Sequence, residues 1–177
     1  MYPTSPTIPR HNRVQVDSDS AAFYAGTRFR SFLEVSLASS ATLTVRMVRP
    51  VDIIVKAFTL SVYSGELRCE VYRGGTPSGS FSSALPVLGM CEFTDRPTPY
   101  AAQCSLASGG SISGGTLYDI IHVKTSGATA QQFTVGAAGA DQLGIPGNSM
   151  GYYKFSNPSN GASAGIFVIQ WEELPVK

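Results

Sequence analysis

Apolar and polar residues alternate with a period of two along most of this chain, the repeat of a strand that buries one face. Phe29, Ser31, Leu33, Val35 and Leu37 alternate with Arg30, Phe32, Glu34 and Ser36. Leu43, Val45 and Met47 alternate with Thr42, Thr44 and Arg46. A long strand is expected from Asp52 to Tyr63, with Ile54, Phe58, Leu60 and Val62 on one face. Leu67, Cys69 and Val71 then alternate with Glu66, Arg68 and Glu70, and Ser64-Gly65 has the chemistry of a hairpin turn between the two strands. Beyond the glycine-proline loop at 74–80, a short strand is expected around Leu85 to Leu88. Ser111–Ser113, Gly114-Gly115 and Leu117–Lys124 read as strand, turn and strand. Tyr152–Ser156 and Ala164–Glu172 read as a closing pair joined by the loop NPSNGAS.

No segment has the periodicity of an amphipathic helix. Eight to ten strands at this spacing predict an all-β fold, a β-sandwich for which a jelly-roll-like form is favoured. An immunoglobulin-like sandwich is the alternative, but Trp171 follows all three cysteines instead of lying between two of them. The first 20 residues differ. MYPTSPTIPRHNRVQV carries prolines at 3, 6 and 9, each of which fixes its own φ and pushes its predecessor to extended geometry. The expected organisation is an extended arm over 1–20 and a sandwich domain over 21–177. Residues 1–16 in polyproline form would reach roughly 45–50 Å at ~3.1 Å per residue.

Composition sharpens the picture. Charged residues make up 14% of 177 and apolar residues 43%, against roughly 25% charged in an average domain. That balance suits a β-domain with a Ser/Thr-rich surface, and it also suits a surface covered by partner subunits, since interface cores are depleted in charge. The net charge of +1 does not predict a nucleic-acid-binding protein. The local cationic excess of the first third, Arg10 to Lys56, reads as a solvated face. No apolar run is long enough for a membrane span and no leader-like segment opens the chain. Cys69, Cys91 and Cys104 cannot all pair within one chain and fit no zinc spacing. Reduced thiols are expected, with Cys69 serving as a small buried apolar residue.

Candidate chemistry is sparse. Gly147-Asn148-Ser149-Met150-Gly151 matches the G-x-S-x-G nucleophile pattern, but that pattern works on a strand-turn-helix with a histidine following. Here both His11 and His122 precede the serine and a strand follows it. Asp119 and His122, three apart in a strand, point to opposite faces. Glu172 and Glu173 are adjacent and diverge. GGTPSGS lacks the Gly-Lys-Ser/Thr ending of a phosphate loop. The chain is therefore expected to be no enzyme, with no catalytic residue, no cofactor, no metal site and no small-molecule substrate.

Three stretches resemble bacteriophage virion proteins of the small capsid-decoration, or cement, type. They are LRCEVYRGGTPSGS (67–80), SISGGTLYDIIHV (111–123) and YYKFSNPSNGASAGIFVIQWEELP (152–175). The resemblance implies a jelly-roll-like domain clamped across capsid subunits on the outside of a phage head, often as a dimer or trimer. Its implied partners are a major capsid protein and further copies of itself, assembled in the bacterial cytoplasm. The proline-rich arm departs from the smallest members of that group and also suits a tail-side attachment segment. The candidate interface residues lie on the arm: Tyr2, Ile8 and Val14 to fill pockets, Arg10 and Arg13 to pair with acidic groups. The second functional expectation is a tail or fibre component binding a host glycan through Tyr63, Tyr72, Tyr118, Tyr152 or Tyr153. Against it, these tyrosines also read as strand residues packing their own sheet.

Overall fold

Two antiparallel sheets carry the fold in the computed structural model, which describes residues 25–90, 100–126, 129–135 and 143–174. The arm over 1–20, with Tyr2, Ile8, Arg10, Arg13 and Val14, lies outside the described residues, as does Cys91. Eight strands of five residues or more make the two sheets: β1 (Arg28–Leu37), β2 (Thr42–Arg49), β3 (Ile53–Ser64), β4 (Glu66–Arg73), β10 (Thr116–Lys124), β11 (Gln131–Val135), β13 (Ser149–Ser156) and β14 (Ser163–Glu173). Between them lie short strands: β5 (Thr76–Ser78), β6 (Ser83–Ala84), β7 (Val87–Gly89), β8 (Ser105–Ser108), β9 (Ser111–Ser113) and β12 (Leu143–Ile145). The first sheet runs β11-β3-β14-β1-β7, with β12 also on β3; the second runs β10-β4-β13-β2-β8-β6. This is the all-β sandwich that the alternation predicts.

The connections differ from the expectation in an informative way. Ser64-Gly65 does not close a hairpin, because β3 belongs to the first sheet and β4 to the second. Gly65 (φ +72°) turns the chain across the core instead. The closing pair also splits: β13 is central in the second sheet and β14 in the first. Turn residues specify local dihedrals, which both a hairpin and a crossover can use; they do not say which sheet the next strand joins.

Register supplies three further corrections. On β3, Ala57 faces Gln170 while Val55 faces Trp171, so Lys56 is an extra residue and the inward parity reverses there. Phe58, Leu60 and Val62 point inward as expected, but Ile53 replaces Ile54 as the buried residue at the near end. The stretch Leu85 to Leu88 is not one strand. β6 and β7 flank Pro86, which has no N–H to give a ladder, and they join different sheets. Finally, β9 pairs with β5 and not with β10. Thr116 opposite Arg73 and Thr76 opposite Ser113 keep one register, so the β4–β10 ladder continues through two facing Gly-Gly steps. Gly115 (φ +88°) packs so tightly on the Gly74 carbonyl that no side chain fits.

The core lies between the sheets. Phe58 and Phe167 of the first sheet meet Tyr153 and Phe155 of the second at ring-centroid distances of 5.1–6.0 Å. Trp171 is fully buried beside Phe29, 5.9 Å away, on the same face as Ile169 and Phe167, as the alternation predicts. Cys69 and Cys104 are buried free thiols.

Candidate functional site

The two outer faces of the sandwich have different chemistry. On the second sheet, charges sit among partners of their own. Glu66 takes His122 at 2.5 Å and Lys124 at 3.4 Å. The His122 hydrogen bond, ahead of Lys124, holds the Glu66 carboxyl below its usual range. Glu70 accepts from Tyr72 at 3.0 Å and pairs with Arg68 at 2.7 Å. Arg73 lies over the Tyr118 ring at 4.0 Å, and Arg46 over Phe81 at 4.8 Å. The contacts of Glu70 with Tyr72 and Arg68 lie along β4, whereas His122 and Lys124 reach Glu66 from the neighbouring strand β10, which is why Glu66, not Asp119, is the partner of His122.

The outer face of the first sheet is poor in charge over its middle rows, while Arg28, Glu172 and Lys56 gather at one end, Lys56 and Glu172 paired at 3.3 Å. Cross-strand register lines up Phe32, Val168, Thr59 and Thr134 in one row. The next row holds Glu34, Ile166, Ser61 and Gln132, and the row on the other side holds Arg30, Gln170 and Ala57. In these three rows Arg30 and Glu34 are the charged positions, and both are on β1. Phe32 is 37% exposed and Leu88, opposite Arg30 on β7, 40%. A charge-poor, gently apolar sheet face of this kind is a candidate protein-docking surface.

The nucleophile pattern is explained by packing. A side chain at Gly147 would strike the Val51 backbone, and one at Gly151 would sit 2.9 Å from the Arg49 guanidinium. Ser149 Oγ donates to the Pro146 carbonyl at 2.5 Å. His122 stands beside Arg68, level with Ser156, which is seven residues along β13 from Ser149 or about 23 Å at strand rise. Among the described residues no group of three or more His, Cys, Asp or Glu could hold a metal. Glu172 and Glu173 diverge as expected, Glu172 towards Lys56 at 3.3 Å.

Two buried charges escaped the sequence reading. Glu173 is fully buried and accepts from the Cys104 amide at 2.8 Å, the Gln103 amide at 2.9 Å and Trp171 Nε1 at 3.2 Å. Backbone amides therefore solvate this carboxylate, locking the chain at 103–104 to the end of β14. Arg49 is 2% exposed, and burial lowers its pKa. Gly151 leaves room for it. Neither carries a local signature, because what marks them is the segment packed on top. The loop after β13 is a third case. Asn157 is buried, donates to the Leu37, Ala38 and Gly161 carbonyls, and accepts from Ser163 Oγ at 2.8 Å. It thereby ties the β1–β2 and β13–β14 crossovers together.

Of the candidate glycan-binding tyrosines, Tyr152 and Tyr153 are buried, while Tyr63 and Tyr118 are exposed. A hollow of about 340 Å³ lies beside Glu66, Lys124 and Ser159, and polar hydrogen bonds of the Asn157 loop line its rim.

No family model and no curated protein matches the chain. Among solved structures it is similar to VP2 of infectious bursal disease virus. A mutant VP2 from derived T=1 particles is 14% identical over 84% of this chain, with a TM-score of 0.23. A second set of derived T=1 particles of that virus gives 13% and 0.20, and a VP2 subviral particle 14% and 0.22. The chain spans about two-fifths of the length of these proteins, 40–42%.

Proposed function

We propose that this chain is a non-enzymatic structural subunit of a virion, a capsid decoration protein of a phage head that bridges capsid subunits. The observation that carries the reading is strand order. The eight longest strands form β11-β3-β14-β1 and β10-β4-β13-β2. Successive strands β1 to β4 alternate between sheets, and the last two strands fill the middle of each. This order supports a jelly roll, an architecture in frequent use for capsid domains. Fold alone never fixes function, and the three stretches that resemble cement proteins add the direction. In this reading the sandwich supplies a rigid body and the arm supplies reach. Many equivalent copies on one shell add avidity without any single tight contact.

The arm is the proposed anchor. Its prolines lower the entropy lost on docking, and Tyr2, Ile8, Arg10, Arg13 and Val14 are the contacts proposed for a neighbouring capsid subunit. Deleting residues 1–13 is expected to leave the melting temperature of the isolated protein almost unchanged while weakening its attachment to heads in a co-sedimentation assay. Equal attachment by the truncated chain would remove the arm from the mechanism. The second reading, a tail or fibre protein binding a host glycan, is favoured by exposed Tyr118 beside Arg73. Tyr118→Ala should then abolish binding on a glycan array, and an array with no hits for the wild type rejects that reading.

A further inference from the structure

We infer that the outer face of the first sheet is a self-association surface, and that it joins two copies of this chain face to face about a two-fold axis through Phe32. This deepens the structural-subunit reading by naming one partner and the patch that meets it, and it rests on that reading.

The argument is one of symmetry and charge. Two-fold interfaces are isologous, so a patch must complement itself. A two-fold that stacks a sheet on its own copy has to lie in the plane between them, and two orientations are natural. With the axis along the strands, every residue stays at its own height. Arg30 then meets the row of the partner's Arg30, and Glu34 that of the partner's Glu34. With the axis across the strands, along the row that holds Phe32 and Val168, the copies run antiparallel. Phe32 and Val168 then meet their own copies, and Arg30 on one side of the row faces the partner's Glu34 on the other, twice per dimer. Arg30 and Glu34 lie two residues on either side of Phe32 on β1. Both are exposed, and neither is in an ion pair among the described residues. The patch is thus complementary to itself in one of the two orientations.

The neighbouring chemistry agrees. Val168 and Ile166 are only half-buried within one copy, and the flanking Thr and Gln side chains can be buried with hydrogen-bonding neighbours. Stacked sheets sit about 10 Å apart, the distance that side chains of this size fill. The second sheet's face offers no equivalent, because Glu66, Arg68, Glu70, His122, Lys124 and Lys154 are already engaged with one another there.

The test is analytical ultracentrifugation of the full chain and four variants. The wild type is expected to sediment as a dimer and Phe32→Glu as a monomer. Arg30→Glu and Glu34→Arg should each weaken the dimer at least about tenfold, since each sets like charges opposite one another twice. The double variant Arg30→Glu/Glu34→Arg restores the opposite pairing and should recover dimerisation. A monomeric wild type, a trimer, or a double variant no tighter than the singles overturns the inference. A monomer that still binds heads overturns this inference alone, whereas a dimer that ignores heads overturns the decoration reading and leaves the interface standing.

Discussion

Trp171 sits where three different demands meet. Its ring fills the core against Phe29, its Nε1 donates to Glu173, and its position two residues before Glu173 keeps both on the inward face. Trp171→Ala should cost on the order of 3–5 kcal/mol, against a total stability of roughly 5–15 kcal/mol for a domain. A thermal melt within a degree or two of the wild type would contradict this. The buried acids predict a pH dependence of definite sign. Burial pushes the Cys69 and Cys104 thiols up, with neighbouring carboxylates adding to it, and burial likewise raises Tyr153. A pKa raised in the fold gives stability that is complete below the unfolded value, about 8.5 for a thiol, and lost as pH climbs towards the folded value. Melting temperature should therefore hold level up to about pH 8 and fall above it, while both thiols resist disulfide reagents until the protein unfolds. A level profile through about pH 10 would refute the assignment. At this scale the sequence was legible wherever burial follows alternation, as at Trp171 and Cys69. Glu173 and Arg49 were not legible, since their burial depends on segments 50 or more residues away.

Among the elements, β1, β2, β4 and β14 match the alternation closely, and β3 matches it beyond the bulge at Lys56 but not before it. What the pattern could not show is how elements are joined. Gly65 is the clearest case. It holds a positive φ in the crossover from β3 to β4, and a Cβ there would collide with Ser163 Oγ, which accepts from the Glu66 amide at 2.9 Å. Gly65→Ala should destabilise by more than the ~1–2 kcal/mol of left-handed strain alone. Gly161→Ala, where nothing lies within 4 Å of the added Cβ, should have little effect. Parallel urea titrations of the two variants check this, and equal midpoints would mean that the crossover is not constrained as described. The Gly-Gly steps at 74–75 and 114–115 were visible as turns. Only the register shows that they face each other in one bent ribbon.

Among the described residues, one outer face carries charges largely paired with one another, and the other has three central rows whose two charges, Arg30 and Glu34, flank Phe32. That difference directs the functional reading towards protein contacts. Ser149 starts a strand with its hydroxyl on the Pro146 carbonyl, so Ser149→Ala should leave every biological activity unchanged. A fluorophosphonate probe that labels the wild type but not the variant would reverse the non-enzyme reading.

The sequence by itself determined the class of fold, the parity of most strands and the inward side of the last one. Period-two alternation is a local record of which face meets water, and it needs no knowledge of partners. Only the tertiary structure decided that β3 and β4, and β13 and β14, cross between sheets instead of pairing. It alone matched Glu66 with His122, and aligned Phe32, Val168, Thr59 and Thr134 in one row. The physical reason is that a strand's pairing is set by backbone groups identical at every residue. Its neighbours are therefore chosen by the packing of the entire core, not by the residues at the turn.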